Sequence, residues 1–148
     1  MEWYFRSADA AEALPERRAF AEFLRARCTP ESDCQAAEIV YGEIVANVVR
    51  HAPGPIEIML RSSTRGVLLE VFDTAPDFSV ARPLEPPWHS ESGRGLHIIW
   101  QLCDNLARTI TPSGGKISVV LPVSLSKTLG LVDGSKKLLE FGGLGRVE

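Results

Sequence analysis

The chain has 148 residues, 45% of them hydrophobic, which suits one domain with a substantial core. Its formal net charge is -3 and its lysines and arginines form no basic stripe, which argues against direct nucleic-acid binding. No apolar run reaches membrane-span length. The odd set Cys28, Cys34 and Cys103 lacks metal or redox spacing, and no leader-like segment is visible, so a reducing cytoplasm is expected.

The first element is a short aromatic strand, Glu2 to Arg6, with Ser7 or Asp9 offering a cap behind it. Ala10 to Arg27 reads as an amphipathic helix, with Leu14, Phe20, Ala21, Phe23 and Leu24 at helical spacing. Thr29-Pro30-Glu31 breaks it. Ser32 or Asp33 then caps a second helix that runs to Ala52, where Pro53-Gly54-Pro55 stops it.

That second helix carries most of the functional signal. Apolar residues cover most of its circumference, yet Glu43, Asn47 and His51 recur at i, i+4 and i+8. A carboxylate, an amide and an imidazole therefore share one stripe. A buried carboxylate is costly unless it is paired, metal-linked or catalytic. The stripe reads as the wall of a site, or as a half-exposed polar face on a core helix.

Two strands follow, Ile56 to Leu60 and Gly66 to Asp73, with a turn at Ser62 to Arg65, and they predict a hairpin. Thr74 to Ser92 contains Pro76, Pro83, Pro86 and Pro87 and reads as a long loop, of a length that is usually functional or disordered. Ser92-Gly93-Arg94-Gly95 leads into a helix from Leu96 to Cys103. Asn105 to Thr111 and Lys116 to Leu121 are strands around a Pro112 to Gly115 turn. The order β-α-α-β-β-loop-α-β-β predicts an α/β (α+β) two-layer sandwich, a mixed, mostly antiparallel sheet with helices on one face. The domain spans 1–123, and 124–148 forms a glycine-dotted tail.

Three pieces carry chemistry. Glycines ahead of a helix let an anion approach its N–H groups, which suits phosphate, although a plain helix-start turn has the same pattern. Asn47 offers a neutral oxygen suited to Mg²⁺. Glu43 can serve as a general base. Asp73, ending an apolar strand, can accept from the amino group of a base or simply form a turn.

The order Glu43-x-x-x-Asn47-x-x-Arg50-His51, then Val71-Phe72-Asp73, then Gly93-Arg94-Gly95-Leu96, resembles the GHKL (Bergerat-fold) histidine-kinase-like ATPases over residues 1–122. Within that superfamily it is most similar to the anti-sigma factor serine/threonine kinases of bacteria. The resemblance implies ATP and Mg²⁺ as cofactors, with Glu43 as catalytic base and Asn47 as magnesium ligand. It places Arg50 toward the phosphates and Asp73 on the adenine amine. Ala75 and Phe78 fall at the start of the ATP lid, residues 74–92, and Gly93, Arg94, Gly95 and Leu96 at its far hinge. The implied partners are a sigma factor and an antagonist of the STAS type, with a homodimer also expected.

The chain departs from the family pattern in two places. The first glycine box, typically Asp-x-Gly-x-Gly, is Asp73-Thr74-Ala75-Pro76-Asp77. Ala75 puts a methyl group where adenine passes over glycine, and Pro76 stiffens the lid. The usual glycine-threonine before the last strand is Gly115-Lys116. These departures point to a second reading, a weak or nucleotide-independent partner-switching module. A third, the catalytic half of a split histidine kinase, lacks a dimerising phospho-acceptor helix.

Overall fold

The computed structural model describes residues 2–75, 80–81, 94–103 and 105–126. Its elements are β1 (Glu2–Ser7), a 3-10 turn (Ala10–Ala13), α1 (Arg17–Arg27), α2 (Cys34–His51), β2 (Ile56–Ser63), β3 (Gly66–Asp73), α3 (Arg94–Leu102), β4 (Ala107–Thr111) and β5 (Gly114–Val120). The strands form one sheet in the order β1-β2-β3-β5-β4, and every pairing is antiparallel. The expected two-layer α/β sandwich is present, and its mostly antiparallel sheet is antiparallel at every described pairing.

Strand alternation explains the layering. Ile56, Ile58 and Leu60 on β2, Val67, Leu69 and Val71 on β3, and Ile117 and Val119 on β5 are buried on one face. The helices cover this face. Phe20 of α1 stacks on Tyr41 of α2 with ring centroids 4.5 Å apart, and Trp3 meets both edge-on. The Tyr41 hydroxyl donates to the Ala13 carbonyl at 2.8 Å, fixing the 3-10 turn to α2. No described element covers the opposite face. There Glu70, although buried, pairs with Arg61 at 3.0 Å and Lys116 at 3.3 Å.

Local chemistry sets the boundaries. Asp33 caps α2 by accepting the Ala36 N–H at 2.9 Å. Thr64 and Arg65 turn the β2–β3 hairpin, and Gly66 after them has φ +124°. The continuous helix expected from Ala10 to Arg27 is broken in two, with only a 3-10 turn before Arg17. Pro15 explains the break, because it has no N–H to donate and crowds the preceding turn. Leu14, expected on the apolar face, is instead 42% exposed. Asp9 caps the short turn through the Ala11 N–H at 2.9 Å.

Candidate functional site

α2 is anchored along its length. Seven apolar side chains along it are buried, from Ala36 to Val48. Its Glu43 and Asn47 lie half-buried, whereas Arg50 and His51 are exposed near its end. The polar stripe thus leaves the core progressively along the helix.

α3 meets that stripe at its first turn. A side-chain carbon on Gly95 would overlap the Glu43 carboxylate, so the absence of a side chain at Gly95 lets α2 and α3 approach there. A carboxylate against the start of a helix is also electrostatically favourable. The structure therefore brings Glu43 together with Gly95, residues separated by about a third of the chain. Leu96 packs against the core from the next position. Gly93 and Phe78 lie outside the described residues, as does the side chain of Arg94, which opens α3.

Most of the expected lid, 76–79 and 82–92, also lies outside the described residues. Within it Val80 is buried, and its carbonyl accepts from the Trp100 indole N–H at 3.0 Å. This part of the loop is pinned to α3.

Asp73 ends β3 on the helix-covered face, opposite Gly115. Its Oδ1 accepts the Ala75 N–H at 2.9 Å, the turn-forming bond expected of a strand-end aspartate. Both carboxylate oxygens also accept from Arg108, Oδ1 from Nη2 at 2.8 Å and Oδ2 from Nη1. Arg108 Nη2 further donates to the Ala75 carbonyl. The pair is buried, with side-chain exposures of 0% for Asp73 and 4% for Arg108.

Arg108 was not among the residues singled out in the sequence. It lies on β4 opposite Ile117, and its guanidinium reaches across Gly115, where a side-chain carbon would overlap it. A signal was available. Arg108 and Ile110 share the inward face of β4, and a cation buried on the inward face of a sheet needs a buried anion. Lys116, the other departure noted, points the opposite way and joins Glu70 on the uncovered face. Its ammonium does not enter the site.

The two ends of this arrangement fit a nucleotide differently. At the α2–α3 end, the Glu43 carboxylate meets the start of α3 and Asn47 follows one turn along the same stripe of α2, and a magnesium phosphate group fits that donor set. At the Asp73 end, the carboxylate that would read a base is fully engaged by Arg108, and the floor glycine lies beneath the guanidinium. As it stands, this end does not accommodate adenine.

Among the described residues, no helix is long and apolar enough to cross a membrane. The family model of the histidine kinase-like ATPase domain matches residues 7–121. A search of curated proteins returns no match.

Proposed function

The chain belongs to the histidine kinase-like ATPase domain family, and from that premise we propose that it is a cytoplasmic bacterial anti-sigma regulatory factor. It binds Mg-ATP and phosphorylates a serine or threonine on a STAS-type antagonist, and so controls how much sigma factor is held. The observation that supports this most is the meeting of Glu43 with Gly95, which joins the acidic helix to the glycine box at one place.

In this reading each residue has a separate task. Asn47 would hold magnesium, which would neutralise phosphate charge. Arg50, exposed one turn further on, faces the phosphates, and the start of α3 receives them through backbone N–H groups. Glu43 accepts the proton of the attacking hydroxyl as its oxygen bonds to the terminal phosphorus and ADP departs with the bridging oxygen. That hydroxyl belongs to the antagonist, so the base acts only when the partner is docked.

A second reading is favoured by one observation. The Asp73–Arg108 pair occupies the base-reading carboxylate, which suits a partner-switching module with little use for nucleotide. Incubation with labelled ATP and a STAS-type antagonist separates the two. Label on an antagonist serine or threonine supports the kinase. Partner binding without transfer at any ATP concentration supports the module.

A further inference from the structure

We propose that Arg108 is an internal occupant of the base subsite, a cation that a nucleotide must displace before its base can reach Asp73. The proposal rests on the reading of Asp73 as the base-binding carboxylate.

Three features of the geometry carry it. The guanidinium lies against Gly115, the position directly opposite Asp73 in the β3–β5 ladder. It takes both oxygens of the carboxylate and the carbonyl of Ala75 as well. Beside it Ile110, on the same face of β4 and opposite Gly115, is 65% exposed. Without the guanidinium, the glycine floor and the Ile110 side chain would form a flat, partly apolar ledge ending at a carboxylate. That is a shape for a planar base.

The competition between the two occupants favours Arg108. A guanidinium presents two parallel N–H donors to a carboxylate, with full opposite charge. Adenine presents one amino group toward it and is neutral, and its ring nitrogens are acceptors. The internal partner is also already tethered to the strand. A base therefore gains little at Asp73, and affinity for ATP comes mainly from the triphosphate end. Arg108 thereby sets both the strength of ATP binding and its discrimination between bases.

The test uses calorimetry with two probes, Mg-ATP and Mg-tripolyphosphate, on the wild type, Arg108→Lys and Arg108→Leu. Lysine keeps a cation for Asp73 but lacks the planar fork, so it vacates the ledge with the least harm to folding. The wild type is expected to bind the two probes within about threefold of each other. Arg108→Lys should bind Mg-ATP at least about tenfold more tightly than the wild type, with tripolyphosphate unchanged. If the wild type and both variants bind Mg-ATP alike, the displacement proposal is wrong while the nucleotide site stands. If none of the three binds either probe, the nucleotide site itself is wrong and the proposal falls with it. Should neither variant fold, the wild type supplies the answer through the guanidinium N–H resonances of Arg108 in nuclear magnetic resonance. They should shift with Mg-ATP and not with Mg-tripolyphosphate. ATP binding that leaves them in place overturns the proposal.

Discussion

Asp73 and Arg108 are 35 residues apart in sequence and form a bidentate ion pair shielded from solvent on the helix-covered face of the sheet. Two charges in such a place stabilise the fold only together. Removing one leaves the other buried without compensation, which costs about 3–5 kcal/mol in comparable pairs. Arg108→Leu and Asp73→Leu should each lower the urea midpoint strongly. The double variant should be more stable than the sum of the two losses implies. Strict additivity in the double-mutant cycle would mean that the two side chains do not interact in solution.

The glycines of the site should respond unequally to a methyl group. At Gly95 the atoms in the way belong to the end of the flexible Glu43 side chain, which can swing aside. Gly95→Ala should therefore cost less than about 1 kcal/mol of stability yet reduce phosphate transfer as if Glu43 had been removed. Gly114 is different. Its φ is +147°, and a side chain there would meet the backbone of Asp73 and Thr74. Gly114→Ala should cost more than Gly95→Ala by at least about 1 kcal/mol, because backbone cannot step aside. Thermal melts of the two variants, run with the transfer assay, check both halves of this contrast.

The order of the elements was legible because apolar runs are cleanly punctuated by caps, glycines and prolines. Turn residues bounded the strands, and Asp33, Pro53 and Gly93 bounded the helices α2 and α3. The Glu43–Asn47 stripe and the Gly95 turn were also legible, since both depend on local spacing. Two things depended on tertiary placement. Pro15 stood in view, yet Leu14 and its apolar neighbours imitated a continuous helix, and only packing showed Leu14 turned outward. The orientations of Arg108 and Lys116 depended on strand register. A shift of one residue exchanges which cation faces Asp73 and which faces Glu70. Residues 76–79, 82–93 and 127–148 lie outside the described residues, so Phe78 and Gly93 remain expectations from the sequence.

Tyr41 joins α2 to the 3-10 turn through its hydroxyl and to Phe20 and Trp3 through its ring. Tyr41→Phe keeps the ring on Phe20 but removes the donor to the Ala13 carbonyl. The expected loss is about 1–3 kcal/mol, the range for leaving a buried polar group without its partner. A variant as stable as the wild type would show that water replaces the hydroxyl.

Alkaline pH should weaken the domain. Burial, with Cys34 nearby, pushes the Cys28 thiol up from 9.0 to about 11. Burial, with Glu16 as a lesser cause, raises Tyr41 well above its ordinary 10.0. Both groups are thus neutral in the fold at pH values where the unfolded chain has ionised them. The unfolded state then binds fewer protons, so stability falls as pH rises. The contribution of Cys28 is constant below pH 9.0 and is lost between there and about 11, with Tyr41 adding to the fall above 10.0. Urea midpoints measured across this window should decline. Cys28 should also resist alkylation at pH 8, because so little thiolate is present.

The central claim is that Glu43 is the base of a protein kinase and Asn47 its metal-binding neighbour. Asn47→Ala should weaken Mg-ATP binding and abolish transfer together. The most direct measurement uses Glu43→Gln, which keeps the shape of the side chain and removes the base. Mg-ATP affinity, read by calorimetry, should stay within about threefold of the wild type. Phosphate transfer to a STAS-type antagonist should fall by about 10²–10⁴, the usual contribution of a positioned general base. Transfer by Glu43→Gln at the wild-type rate would contradict the claim.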